Sequence, residues 1–405
     1  MNRKRMRSCA LAATVILGSM GVWLANAQPG PPPPRFGSPL PGLTDAELRR
    51  FDAGREDFLE VEEEKDGLGP FFNGTSCGAC HSQPATGGGS HVTVLRAGRG
   101  DGPGGPGGPG GPFIAPSLTS VIHSFANPGT RCQPSVPVNA NVTARRLSIP
   151  LFGDGLIEAI PDATILALEE AGRRHEDGTR GRAARIIDAA SKQPRVGKFG
   201  WKSQHATLLA FSADAYRTEM GITSDVFPGE TGAGFTLEQL AGCDQVTDPE
   251  DKADPATGRR AIDRFEDFIR MLAPLPREPG NEQVRAGEGV FTRIGCAVCH
   301  VPVLQTGGNA NPVFNQKPVP LYSDLLLHDI GGSDGIAEAD ARPNEIRTTP
   351  LWGLRFRKLQ WHDGRSLSTE DAVRRHDRES RRSRDRFQNL SREDRQALLA
   401  FLDSL

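Results

Sequence analysis

Ser76-Cys77-Gly78-Ala79-Cys80-His81 and Gly295-Cys296-Ala297-Val298-Cys299-His300 carry one pattern, C-x-x-C-H, at two places in a chain of 405 residues. The two thiols of such a motif can reach the two vinyl groups of one haem, and the histidine after them sets an imidazole on the iron. A zinc site needs two cysteine pairs at one ion, and a thioredoxin-type pair belongs on a βαβ pattern that this chain lacks. Both motifs are therefore read as attachment sites for covalently bound haem c, through Cys77 and Cys80 and through Cys296 and Cys299, with His81 and His300 as iron ligands.

Outward from the motifs, a similar run precedes each one. Ala53-Gly54-Arg55-Glu56-Asp57-Phe58 stands before the first and Ala286-Gly287-Glu288-Gly289-Val290-Phe291 before the second, so a helix-then-haem unit occurs twice. Apolar residues at three- and four-residue spacing predict helices around 44–62, 163–175, 258–272, 281–294, 369–376 and 391–404, and alternation near 91–96 predicts a strand. The last helix opens on the capping pair Ser391 and Asp394 and is expected to pack on the helix before the second motif. The fold expected is mainly α: two cytochrome c-like domains with long loops and a few short strands. An N-terminal haem domain with insertions covers 43–278 and a C-terminal one covers 279–405.

Arg3, Lys4, Arg5 and Arg7, an apolar run from Cys9 to Ala25 and the small residues Ala25-Asn26-Ala27 read as a cleaved signal peptide over 1–27, ahead of an uncleaved anchor. Residues 28–42 read as a proline-rich linker and 98–112 (GRGDGPGGPGGPGGP) as a flexible surface insertion. Cleavage removes four of the 48 Lys+Arg and none of the 50 Asp+Glu, leaving a net charge of about −6 and arguing against a nucleic-acid partner. The cleaved signal makes the periplasm the expected location, and no later segment has the apolar length of a membrane span, so a soluble body is expected. Cys132 and Cys243 remain outside the motifs; they can form a disulfide in an oxidising compartment or stay as two buried thiols.

The group at the sixth position of each iron separates electron transfer from catalysis. Only Met220 and Met271 remain after signal removal and neither lies after Cys296, so the second haem cannot be His/Met from within its own domain. Its candidates are His328, His362 and His376. His376 ends a helical run in which Ala372 and Val373 share its face, and ligation is preferred there. His362, in the turn Trp361-His362-Asp363-Gly364-Arg365, suits a haem propionate at least as well as the iron. Near the first haem stand His91 and His123, each equally readable as an ordinary loop residue.

Further blocks complete the picture: Gly67-Leu68-Gly69-Pro70-Phe71-Phe72-Asn73 before the first motif, Phe152-Gly153-Asp154-Gly155-Leu156-Ile157-Glu158, Gly200-Trp201-Lys202, Met220-Gly221-Ile222-Thr223, Leu325-Leu326-Leu327-His328-Asp329 and Arg347-Thr348-Thr349-Pro350-Leu351-Trp352-Gly353. With the His362 turn and His376, these blocks resemble in order the di-haem oxidoreductases, also described as peroxidases or thiol oxidoreductases. That family is distantly related to bacterial di-haem cytochrome c peroxidases. The resemblance implies two haem domains exchanging electrons and a calcium ion between the haems. In the peroxidase relatives a methionine ligand falls about fourteen residues after the His-Asp-Gly turn; here that offset lands on His376, which implies a bis-histidine second haem.

Two functions are compatible with these features. In the preferred one the chain is an enzyme: the second haem relays electrons from a small donor protein, such as a cytochrome or cupredoxin, to a first haem that reduces hydrogen peroxide. Oxidation of another protein or an organic substrate is a variant of it, and Trp201, Trp352 and Trp361 are candidate relays or plain core residues. In the other, the chain is a non-enzymatic periplasmic electron carrier with both irons six-coordinate.

Overall fold

The computed structural model describes residues 35–100, 113–116, 118–175, 178–244, 246 and 252–405; the expected signal peptide, residues 28–34 of the expected linker and residues 101–112 of the expected insertion lie outside these. Among the described residues the helices are α1 (Asp45–Leu59), α2 (Cys77–Cys80), α3 (Asp154–Glu158), α4 (Asp162–Gly172), α5 (Leu208–Ala215), α6 (Leu237–Cys243), α7 (Ala261–Met271), α8 (Glu282–Arg293), α9 (Thr369–Arg374), α10 (Arg381–Gln388) and α11 (Arg392–Leu402). Short strands complete a mainly helical fold.

Local chemistry starts the long helices. Thr44 accepts a hydrogen bond from the Glu47 amide while the Glu47 carboxylate accepts one from the Thr44 amide, a reciprocal cap for α1. Asn281 caps α8 and Ser391 caps α11 in the simpler way.

Two helix pairs repeat one packing scheme. α1 lies against α7, and a β-carbon on Gly54 would overlap the Arg264 carbonyl oxygen. α8 lies against α11, and a β-carbon on Gly287 would overlap the Ala397 carbonyl oxygen. Four residues beyond each contact, on both helices, stands a phenylalanine: Phe58 and Phe268 have ring centres 4.9 Å apart, Phe291 and Phe401 5.1 Å apart. The glycines thus allow the backbones to touch, and the phenylalanines one turn on fill the space that opens beside the crossing.

The packed interior has two main hydrophobic cores. One gathers Phe51, Phe58, Phe152, Phe199, Tyr216, Phe265 and Phe268 with Leu321, Leu325 and Trp352 from the later chain. The other is built from Val284, Phe291, Ile294, Phe387, Leu398, Phe401 and Leu402. The expected linker ends in packed structure: Leu40 is buried, and its amide donates to Met271 O at 2.8 Å.

Between α2 and α3 the strand Thr93–Gly100 pairs antiparallel with Val142–Leu147, Thr93 opposite Leu147 and Gly98 opposite Val142; Val121–Ile122 and Phe113–Ile114 join it. Cys132 and Cys243 form a disulfide with Cα atoms 5.7 Å apart, tying the loop before Val142–Leu147 to the end of α6. No helix among the described residues is long and apolar enough to cross a membrane.

The repeat gives a paired prediction. Gly287→Ala forces α8 and α11 apart and is expected to cost about 1–3 kcal/mol, whereas a β-carbon on Gly289 meets nothing within 4 Å. Gly289→Ala is therefore expected to be neutral or to stabilise α8 by up to about 1 kcal/mol. Denaturant melts of the two variants check the contrast.

Candidate functional site

At the first motif Ser76 caps the single turn α2 by accepting from the Ala79 amide at 3.1 Å, and the His81 amide closes the turn on Cys77 O at 3.0 Å. His81 Nδ1 lies 2.8 Å from Gly88 O, so Nδ1 carries the proton and Nε2 keeps its lone pair. Phe58 of α1 stands edge-on to this ring at 6.1 Å. Burial lowers the His81 pKa to about 4 and pushes the Cys77 thiol up to about 12.

The second motif repeats the arrangement. Gly295, at φ +94°, turns the chain out of α8 into the short turn Cys296–Val298, a conformation that a β-carbon would strain. His300 Nδ1 lies 3.2 Å from Tyr322 O, again leaving Nε2 free, and Phe291 of α8 stands 6.3 Å from the ring. Burial lowers His300 to about 4 and raises Cys296 to about 12. Burial keeps these thiols neutral, unlike the low-pKa thiolate of a redox-exchange cysteine. The only three-residue group of possible metal ligands among the described residues, Cys299, Asp324 and His328, takes just one cysteine from the two motifs. Neutral thiols beside a neutral imidazole with a free Nε2 fit haem attachment.

His376 stands opposite His300, with ring centres 6.4 Å apart. Two imidazoles on opposite faces of one metal, each bonded at about 2 Å, have ring centres about 6 Å apart. His376 Nδ1 lies 2.8 Å from Ala372 O, so its Nε2 is also free, and Trp361 Nε1 donates to the same carbonyl at 3.2 Å. The Trp361 ring lies edge-on to His376 at 5.7 Å.

One cavity is lined by Cys296, Cys299, His300, Trp361, His362 and His376. Arg357 also lines it; its Nε is buried without a hydrogen-bond partner, and burial lowers its pKa to about 10. An anionic group entering the cavity, such as a haem propionate, would satisfy that donor. His362 is buried in the same wall, edge-on to Trp201 at 6.1 Å, with its pKa lowered to about 4 by burial.

His328, a candidate ligand from the sequence, is engaged on both sides. Nε2 lies 2.8 Å from Asp324 Oδ2 and Nδ1 2.9 Å from Glu379 Oε2, so neither nitrogen is free for iron. His91 is exposed and lines the cavity of the second motif together with Gln83, Gly89 and Ser90. His123 is buried, its Nε2 at 3.0 Å from Thr218 O and its Nδ1 without a partner.

One group that sequence reading missed lies near the first motif. Glu219, on the wide turn Tyr216–Met220, accepts from Asn73 Nδ2 at 2.8 Å; burial raises its pKa to about 7, and its charge helps burial raise that of Cys80. Such wide turns recur at functional sites. Its only signal in the sequence is its place just before the Met220-Gly221-Ile222-Thr223 block.

A family model described as "Di-haem oxidoreductase, putative peroxidase" matches residues 136–405. The chain belongs to the di-haem oxidoreductase family. Among solved structures, this di-haem oxidoreductase is similar to hydrazine synthase of Kuenenia stuttgartiensis, with 14% identity over 98% of this chain and 100% of that one at a TM-score of 0.39. It is also similar to the dihaem peroxidase BthA of Burkholderia thailandensis (16% identity, 88% and 86% covered, TM-score 0.40). A MauG-like protein associated with microbial copper homeostasis shares 14% identity over 70% of this chain and 95% of that one at a TM-score of 0.33. At such scores the likeness assigns no residue a role. No curated protein matches the chain.

The His328 clamp makes a pH prediction for this di-haem oxidoreductase. Burial opposes the charged ring, but the Cys299 sulfur and the Asp324 carboxylate raise its pKa well above 6.5. With Cys299 in a thioether, Asp324 and Glu379 still hold the imidazolium. The stability it contributes is complete below pH 6.5 and is lost as pH rises through the raised value. His328→Gln is expected to remove that part of the slope in denaturant melts taken from about pH 6 to 10.

Proposed function

We propose that the chain is an exported di-haem enzyme with two cytochrome c-like units, 43–278 and 279–405, and unequal haem sites. Cys77, Cys80 and His81 hold one haem; Cys296, Cys299, His300 and His376 hold the other, with Arg357 and His362 toward its propionates. Bound there, the haems supply one-electron chemistry: relay at the second motif and reduction of a small oxidant such as hydrogen peroxide at the first.

The observation that carries this reading is the asymmetry across the two histidines. His300 faces a second imidazole with a free Nε2, while among the described residues no second histidine ring stands opposite His81. The first site has instead a carboxyl, Glu219, whose pKa of about 7 suits it to accept and return a proton at neutral pH. Asn73 holds that carboxyl through its amide. Reducing one peroxide to two waters takes two protons and two electrons; Glu219 moves protons, and a small donor protein such as a cytochrome or cupredoxin supplies electrons.

The Cys132–Cys243 disulfide suits an oxidising compartment and, with the expected signal peptide, supports a periplasmic location. The acidic balance argues against nucleic acid as a partner.

Titration of the purified ferric protein with peroxide and cyanide tests the proposal. A high-spin signal that shifts on addition is expected; two low-spin haems that bind neither ligand would make the chain an electron carrier instead. His376→Ala is expected to turn the second haem high-spin while the haem content stays at two per chain. Peroxide turnover of the wild type is expected to rise with pH through about 7 as Glu219 becomes a base. Glu219→Gln should slow it by roughly 10²-fold or more and flatten that rise.

A further inference from the structure

Lys202 comes directly after the Trp201 that packs on His362, and its side chain is fully buried. Its Nζ has five oxygen neighbours: Glu345 O at 2.6 Å, Asp334 Oδ1 at 3.0 Å, Ser333 Oγ at 3.1 Å, and Arg342 O and Pro343 O at 3.3 Å each. An ammonium has three hydrogens to donate, so five oxygens receive it as a point charge rather than as a set of directed donors.

All five oxygens come from one irregular segment, 333–345, which has neither helix nor extended strand of its own. Three are main-chain carbonyls, one is a hydroxyl and one a carboxylate, which is the donor chemistry of a hard-cation loop. The spacing is that of an ammonium rather than of calcium, whose oxygens stand at about 2.3–2.6 Å. Asp334 is shared, its Oδ2 accepting from Arg146 Nε at 2.6 Å. Burial lowers the Lys202 pKa to about 8, which leaves it charged at neutral pH.

The rest of the segment is held by charge as well. Glu338 pairs with Arg96 at 2.9 Å and with Arg146, while Arg182 pairs with Asp340 at 2.6 Å and with Glu345 at 2.7 Å. Just beyond the segment, the Arg347 amide donates to Trp201 O at 2.9 Å, so the cage adjoins the cavity wall of the second motif.

We infer that Lys202 is a tethered cation filling an oxygen cage of hard-metal type, so that segment 333–345 takes its shape without a metal ion. The calcium that the family resemblance implies does not fit this cage, because an ammonium already occupies it.

The test uses the full di-haem protein and two variants. The wild type is expected to keep its melting temperature when EGTA or calcium is added. Lys202→Met, which fills the space without charge, is expected to melt lower by roughly 5 °C or more, since it removes the buried cation on which the five oxygens converge and leaves Asp334 with Arg146 as its remaining ion-pair partner. Lys202→Ala is expected to melt lower too, and to recover in part when millimolar propylammonium or calcium enters the emptied cage. The inference is overturned if EGTA lowers the wild-type melt and calcium restores it, a result that needs no variant. It is equally overturned if Lys202→Met melts with the wild type, or if neither cation raises Lys202→Ala.

Discussion

Backbone contact at a glycine determines how near each long helix comes to its partner, and the position of each motif histidine depends on that distance. Gly54 over the Arg264 carbonyl and Gly287 over the Ala397 carbonyl leave no room for a β-carbon. One turn on, the phenylalanine pairs meet; Phe58 stands edge-on to His81 at 6.1 Å and Phe291 lies tilted against His300 at 6.3 Å. A wider crossing would separate the rings and release the face against which each imidazole rests. A long stretch of chain enters between α2 and α7 without disturbing the α1–α7 crossing, at small entropic cost, since closure entropy grows only slowly with loop length.

The two helix pairs share this frame and differ in the chain beyond the motif. After the second motif Tyr322 O is supplied to His300 and, through α9, Ala372 O to His376. Ala372 O also binds Trp361, so the one carbonyl sets the tautomer of His376 and anchors the indole beside it. After the first motif the corresponding carbonyl, Gly88 O, lies only seven residues beyond His81. No helix equivalent to α9 comes next there; the chain turns instead into the strand Thr93–Gly100. Duplication of a helix-and-motif unit thus need not duplicate the far side of the site.

The features legible in the sequence are those carried by local pattern. The six helices expected from apolar spacing all appear, and α8 and α11 pack together as their faces require. The short helix α5 (LLAFSADA) escaped because it is apolar with little periodic contrast, and α10 (RRSRDRFQ) because it buries only Phe387. The lack of a methionine after Cys296 narrowed the expected second-haem ligand to three histidines, and the apolar face that His376 shares with Ala372 and Val373 gave the preference among them. The features that could not be read depend on groups brought from afar. Glu219 acquires its raised pKa from burial, and the Asn73 that holds its carboxylate lies 146 residues away; His328 loses both nitrogens to carboxylates, one of them 51 residues on. Lys202 looks like any surface lysine until five oxygens from 131 to 143 residues later close on it.

The segment after His81 also joins the two sites. Gly88 O holds the His81 proton, while the next three residues, Gly89, Ser90 and His91, form part of the wall around Cys296 and His300. From the cavity of the second motif to the imidazole of the first, the path is therefore one hydrogen bond and a few covalent bonds of a single strand of chain. An aromatic series lines the same cavity, His376 to Trp361 at 5.7 Å, Trp361 to His362 at 6.3 Å and His362 to Trp201 at 6.1 Å. On the proposed reading, electrons arriving at the second haem meet both routes. Only the first ends on a ligand of the reactive iron. It is also the route that the tight packing of Gly88 against Gln83 keeps in place.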